Sequence, residues 1–295
     1  MRRKFFWGAL IILVVLVIMA WVGSSDFEFL ASPNRIGVIE VRGSITNVRS
    51  QLNALKRFRK DPNTKAIILR IESPGGGIAP SQELYREIKR TRAEKPVLAS
   101  MGAIAASGGY YIAAPASRIV ANPGTITGSI GVISYFPNIR ELLQRIGVQT
   151  ITIKSGSLKD VGNPGREMTA EEREYLQGTL DQAHQQFIRD IAEGRGMSEE
   201  RVRTVADGRI IMGETALSLG LVDELGNFED AVIAAAAMGG IVGEPQLVHA
   251  RKERRSLLDL LMGDDVSEKV ASWIKGPESF LHYELPYEGW PFSAQ

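Results

Sequence analysis

The chain has 295 residues, a formal net charge of +1 and the composition of an ordinary globular protein, enough for one large domain or two small ones. Near-neutral charge gives no ground for a nucleic-acid partner. The absence of cysteine excludes disulfides, thiol chemistry and zinc fingers, and it suits an oxidising compartment.

At the N-terminus, Arg2, Arg3 and Lys4 precede the apolar run "FFWGALIILVVLVIMAWV", Phe5 to Val22. A run of about 18 residues is roughly 27 Å long as a helix, close to the thickness of a bilayer core. Trp7 and Trp21 stand near its ends, where interfacial aromatics belong, and the basic cluster sets the N-terminus on the cytoplasmic side. A cleaved signal peptide is the rival reading. Its apolar core is usually about 7–15 residues, and "AWVGSSD" is a mediocre cleavage site. Residues 1–23 therefore read as a basic end and retained membrane anchor, and 24–34 as a polar linker. Everything beyond is expected on the outer, periplasmic or extracellular, side of the inner or plasma membrane.

"RIGVIEV" (Arg35 to Val41) and "KAIILRI" (Lys65 to Ile71) are short β-branched runs that read as buried strands. Between them Val48, Leu52, Leu55 and Phe58 fall near helical spacing, and Asp61-Pro62 stops that helix. "ESPGGG" (Glu72 to Gly77) leads into a second helix carrying Leu84, Tyr85 and Ile88 on one face. "PVLAS" (Pro96 to Ser100), "RIVA" (Arg118 to Ala121) and "VQTITI" (Val148 to Ile153) are further strand candidates. "TAEE" (Thr169 to Glu172) is a capping box opening a long helix towards Glu193, and Gly226 to Gly240 reads as another helix ended by glycine. Strands alternating with helices predict an α/β domain with a largely parallel sheet. Residues 243–295 read as a helical extension, with Val266, Val270, Trp273 and Ile274 on one face, and a Pro- and aromatic-rich tail that looks extended.

"AIAASGGYYIAAPA" (Ala103 to Ala116) holds one hydroxyl, Ser107, among small residues and before two glycines. Packing explains small residues in a tight turn; a nucleophile explains the serine as well. The three histidines, His184, His249 and His282, offer no convincing triad, and the absence of cysteine and of any His-x-x-x-His pair argues against a metal. A lysine can serve as base when burial lowers its pKa from about 10.4 towards neutrality. Lys154 and Lys159 in "KSGSLKDVGNPGREMT" are the candidates, and spacing does not separate them. The glycines of "ESPGGG" would bring backbone N–H groups to a helix N-terminus, as an oxyanion requires.

Four stretches in order, "ESPGGG", "AIAASGGYYIAA", "TGSIGV" and "KSGSLKDVGNPGREMT", closely resemble the signal peptide peptidase A (SppA) family in its short, single-domain form. The resemblance runs from about Arg35 to Val242 and implies the fold shared by Clp protease and crotonase, with repeated ββα-type units. It places the nucleophile at Ser107, the general base at Lys159 and an orienting hydroxyl at Ser129. It implies oxyanion donors at Gly108 and at Gly75 or Gly76, and no cofactor. Remnant signal peptides and unfolded chains are the implied substrates. A ring-shaped homo-oligomer, whose neighbouring protomers complete each site, is the implied assembly. Three other readings compete: an NfeD-type membrane protease with one protein substrate, a crotonase-like acyl-CoA enzyme, and a membrane-tethered scaffold without activity.

Overall fold

The computed structural model describes residues 34–250 and 282–284; the apolar N-terminal run and the stripe from Val266 to Ile274 lie outside them. No helix among the described residues is long and apolar enough to cross a membrane.

The first half alternates as its hydrophobic pattern predicts. Strand β1 (Arg35–Arg42) is followed by helix α1 (Arg49–Lys60), β2 (Thr64–Ser73), the all-glycine strand β3 (Gly75–Gly77) and α2 (Ile78–Arg92). Then come β4 (Val97–Ala105), the short α3 (Gly108–Ala113), β5 (Arg118–Ala121) and β6 (Ile126–Gly128). A long excursion carries only α4 (Arg140–Arg145) before the 26-residue α5 (Ala170–Arg195). The capping box at its start is complete: Thr169 accepts from the Glu172 N–H, and Glu172 accepts from the Thr169 N–H. Helix α6 (Glu199–Arg203), β7 (Ile210–Met212), α7 (Gly213–Ser218), β8 (Glu224–Leu225), α8 (Phe228–Met238) and β9 (Gln246–His249) complete the body.

Eight strands form the main sheet, in the order β7-β6-β4-β2-β1-β9, with β5 on β4 and β8 on β5. Every pairing in it is parallel except β6 with β7. A parallel sheet must be covered on both faces, which is why β2 reads as a nearly unbroken apolar run. Ile67, Leu69 and Ile71 face the larger core with Leu84, Ile88, Tyr110, Tyr111 and Phe187, while Ile36, Ala66, Ile68 and Leu98 pack under α8. The sheet continues past residue 242, because β9 pairs with β1.

Two readings of the sequence are corrected. "PVLAS" is the start of a longer strand that runs on to Ala105. "VQTITI" forms no strand: among the described residues it pairs with no sheet edge, and Ile151 and Ile153 are 85% and 95% exposed.

Candidate active site

Strand β4 divides its outer edge. Leu98 to Ser100 pair with β5, and Ile104 pairs with β6 further along. The edge therefore opens where the chain leaves β4 and enters the turn at Ser107. On the other side, the β2–β4 register slips between Ile71 and Ser73. That slip brings the end of β2, and the glycines after it, against the same turn.

Ser107 is buried, with φ 51° and ψ −115°, and stands at the N-cap of α3 without using its side chain as a cap. A left-handed φ at a non-glycine residue is strained and is held by its surroundings. Here the holding bonds are backbone ones. The Ser107 N–H donates to the Gly128 carbonyl at 2.8 Å, and the Ala106 N–H to the Ser73 carbonyl at 3.1 Å. Among the described residues, one other non-glycine has positive φ: Ser129, at 50°. It follows Gly128 directly, so the two strained serines flank one hydrogen bond.

Gly108 faces the glycine strand. A Cβ at Gly108 would lie 2.9 Å from Ser81 Oγ and 3.2 Å from both Gly75 Cα and Gly76 N. A Cβ at Gly109 would lie 2.7 Å from the Ser73 carbonyl oxygen. Two glycines after Ser107 are thus needed for close approach of backbone to backbone. The structure also separates Gly75 from Gly76. The Gly75 N–H donates to Ser73 Oγ at 3.1 Å. The Gly75 carbonyl and the Gly77 N–H both bond Ile45, at 2.8 and 2.9 Å. Backbone groups alternate along a strand, so the N–H and C=O of Gly76 face the opposite edge. Gly76 itself tolerates no side chain, because a Cβ would meet the Ile45 backbone at 2.4 Å.

Helix α3 is anchored by the tyrosines after the glycines. Tyr110 OH donates to the Leu221 carbonyl at 2.9 Å, and Tyr111 OH to the Asp190 carboxylate. Tyr111 also packs between the rings of Tyr85 and Phe187, at centroid distances of 5.2 and 4.8 Å. Burial pushes the Tyr110 and Tyr85 hydroxyls well above their ordinary range, so both remain neutral donors.

The lysines lie elsewhere. From 131 to 171 no residue is buried, and the segment forms an arm beyond the body. Lys154 Nζ bonds the Ser157 carbonyl at 2.7 Å and Asp160 Oδ1 at 2.5 Å. Arg166 bonds Asp160 Oδ2 at 3.0 Å and Glu172 Oε2 at 2.8 Å, tying the arm to the start of α5. Hydrogen bonds from Arg166 and Lys154 hold the Asp160 carboxyl far below the usual carboxylate range. The hydrogen bond from Arg166 likewise brings Glu172 down to about 2. Lys154 is therefore part of the arm's internal frame. Lys159 is exposed, and among the described residues its ammonium makes no ion pair or hydrogen bond. The burial that a lysine base calls for is not provided to Lys159 among the described residues, where it is open to solvent.

Ser107, Gly108, Gly75, Gly76 and Ser129 are thus brought together through backbone contacts, while Lys159 stands exposed on the 131–171 segment. Sequence reading missed Ser73, Ser81 and Ile45, which hold the glycine strand in place. Ser73, before the proline of "ESPGGG", and Ser81, one turn into α2, were the available signals.

Residues 89–241, just over half of the chain, match peptidase family S49. The chain belongs to that family. This S49 chain is a serine peptidase by the same evidence and by its relatives. It is 42% identical to "Putative protease slr0021" of Synechocystis over 87% of this chain and 94% of that protein. It is 39% identical to Protease 4 of Salmonella typhi over 62% of this chain and 30% of that one. Serine protease SPPA, chloroplastic, of Arabidopsis thaliana is 35% identical over 78% of this chain and 36% of its own. Of these three, the last two are much longer proteins, of which the S49 chain spans about a third. Among solved structures, a ClpP1 mutant from Listeria monocytogenes aligns with TM-score 0.45 and 18% identity over 66% of this chain and 94% of that one.

Proposed function

We propose that this S49 peptidase is anchored in the membrane by residues 1–23 and hydrolyses extended peptides, remnant signal peptides among them, with Ser107 as nucleophile and Lys159 as base. One observation carries the reading. Ser107 is held at positive φ at the start of α3, and Gly108 packs so closely on the glycine strand that a Cβ added there would lie 3.2 Å from the Gly76 nitrogen. A serine hydroxyl and the backbone N–H groups of two glycines are then near neighbours, the set of groups that acyl transfer requires.

In this reading Ser107 Oγ attacks the substrate carbonyl, and an unprotonated Lys159 amine takes the hydroxyl proton. The N–H groups of Gly108 and Gly76 receive the oxyanion; Gly76 is preferred over Gly75, whose N–H already bonds Ser73. Lys159 delivers the proton to the leaving amine, then draws one from the water that cleaves the acyl-enzyme. Ser129 orients the amine. Lys159 comes from a neighbouring protomer of a ring, because the arm that bears it extends from the body and exposes Ile151 and Ile153. The test is a fluorophosphonate probe on the full-length protein in detergent, followed by mass spectrometry. Modification of Ser107 is expected, with loss of both label and hydrolysis of a signal-peptide substrate in Ser107→Ala. Modification of another hydroxyl overturns the assignment.

A further inference from the structure

Before the turn at Ser107 the two central strands fall out of step. Ile71 pairs with Met101 and Ser73 with Ala105, so β4 advances from 101 to 105 while β2 advances only from 71 to 73. Extra residues in one strand of a pair leave ladder groups without main-chain partners. Side chains take up those groups here. The Ala103 N–H donates to Glu72 Oε2 at 3.0 Å. From the β6 side, the Thr125 hydroxyl donates to the Gly102 carbonyl and the Thr127 hydroxyl to the Ala105 carbonyl, each at 2.7 Å.

The Glu72 carboxylate is itself held in place. Arg70 donates from one nitrogen to Glu72 Oε1 at 3.3 Å and from another to Ser100 Oγ at 3.0 Å. The Arg70 guanidinium also lies 5.7 Å from the centre of the Phe228 ring. Beneath the carboxylate is Gly102, where an added Cβ would stand 1.5 Å from Glu72 Oε1 and 2.1 Å from its Cδ. Gly102 has no left-handed φ that would call for glycine. What it provides is room for the carboxylate.

We propose that Glu72 is a positioning residue for hydrolysis: seated on Gly102, its carboxylate fixes the irregular end of β4 and with it the place of Ser107 against the glycine strand. The proposal rests on the reading of Ser107 as nucleophile. The bonds from the Ala106 N–H to Ser73 and from the Ser107 N–H to Gly128 form only if β4 delivers those residues in this register. Without an acceptor at Ala103, the end of β4 is free to relax towards regular pairing with β2, which draws Ser107 away from both. A hydrogen bond accepted by a carboxylate is stronger than a neutral one, and a shift of about 1 Å remote from the chemistry can cost about 100-fold in rate.

The test is the rate at which a fluorophosphonate labels Ser107 in the full-length chain, beside kcat and KM for a short peptide and a thermal melt. Glu72→Ala should lower the labelling rate and kcat roughly 10- to 30-fold, with KM within about twofold of the parent. Glu72→Met, which keeps the stem and loses the oxygen acceptor, should share that loss and serves if Glu72→Ala does not fold. Glu72→Gln keeps a carbonyl oxygen for the Ala103 N–H and should stay within about threefold of the parent. Gly102→Ala evicts the carboxylate, so it should reproduce the loss. In a Glu72→Ala background the same methyl meets no carboxylate, and the double variant should be no slower than Glu72→Ala alone. Labelling of Glu72→Ala or Glu72→Met at the parent rate would overturn the proposal, as would additive losses in the double variant or no rescue by Glu72→Gln. Label on another hydroxyl in the parent would remove the nucleophile reading and this proposal with it, whereas label at Ser107 with unaffected Glu72 variants removes this proposal alone.

Discussion

The Ser107 N–H donates to the Gly128 carbonyl at 2.8 Å, which couples the turn after β4 to the last residue of β6. Gly128 needs its left-handed φ of 71°, and a Cβ there would meet Ile211 Cγ1 at 2.8 Å and the Arg209 carbonyl at 3.1 Å. Ser129, the next residue, donates its N–H to that same Arg209 carbonyl at 2.8 Å. The strained turn at Ser107 is therefore braced from β6 and from the segment before β7.

From this bracing, Ser107→Ala should abolish peptide hydrolysis while leaving the far-ultraviolet spectrum and melting temperature nearly unchanged. Gly128→Ala should retain Ser107 and yet lose activity about 10- to 100-fold, because its strained φ and its clash with Ile211 move the acceptor. Kinetics beside thermal melts would check both. Full activity in Gly128→Ala would mean that the hydrogen bond does not position Ser107.

The two lysines are separated by what their amines touch. Lys154→Ala should keep most activity, with a loosened arm, since Lys154 is bonded to Asp160 and Ser157. Lys159→Ala should be inactive. If Lys159 acts on a neighbour's Ser107, mixed oligomers of Ser107→Ala and Lys159→Ala chains should regain activity, because some sites pair two intact residues. Inactivity of the mixture, with subunit exchange verified by mass spectrometry, would return Lys159 to its own protomer's site.

How much of this was legible in the sequence depended on where the partner of each segment lies. Strands β1, β2 and β5 were readable because both faces are buried, and their β-branched runs say so without reference to any neighbour. The helix from Ala170 was readable from Thr169 and Glu172 alone, since a capping box is a local device. Ser107, with the glycines after it, stood out for its chemistry. In contrast, β3 is three glycines and has no strand propensity; Ile45 and the antiparallel strand His282–Glu284 make it a strand. "VQTITI" has strand propensity and no strand, for the opposite reason: among the described residues no sheet edge receives it. Spacing could not choose between Lys154 and Lys159, because the choice turns on Asp160 and Arg166, which define the arm's internal frame.

Gly108→Ala tests the gap between α3 and the glycine strand. The added methyl would lie 2.9 Å from Ser81 Oγ and 3.2 Å from the Gly76 nitrogen, so β3 must shift by a few tenths of an ångström. A displaced oxyanion donor typically costs about 10²–10³ in kcat. The expected outcome is a fall in kcat of that order in a folded protein that still labels, slowly, with fluorophosphonate. Unchanged kcat would remove Gly76 from the oxyanion site.

Acid should release the arm before it unfolds the body. Asp160 and Glu172 have folded-state pKa values below their unfolded ones, Glu172 at about 2. Their stabilisation is complete above the ordinary carboxylate pKa of about 4 and is lost as pH falls towards 2. Hydrogen exchange or limited pepsin digestion between about pH 5 and 2 should show 150–168 losing protection first. Arg166→Gln should remove that pH dependence. Equal protection of the segment at both ends of the range would mean that the network does not hold it.

The exposed strand-like run makes the last prediction. Ile151 and Ile153 alternate with Thr150 and Thr152, the pattern of a strand with one apolar face, yet both isoleucines stand almost fully in solvent. An exposed apolar run of this kind is usually covered in an assembly. Burying two isoleucine side chains at a protomer contact is worth roughly 1.5–3 kcal/mol each, enough to decide assembly at micromolar concentration. The double substitution Ile151→Lys with Ile153→Lys adds charge to the exposed run at two residues that are themselves exposed. It should give a folded monomer by light scattering, with an unchanged melting temperature for the isolated domain. Such a monomer should bind the fluorophosphonate poorly and hydrolyse no peptide if Lys159 must come from another chain. A double variant that is monomeric and fully active would separate assembly from catalysis, and a double variant that still assembles would place the contact elsewhere on the arm.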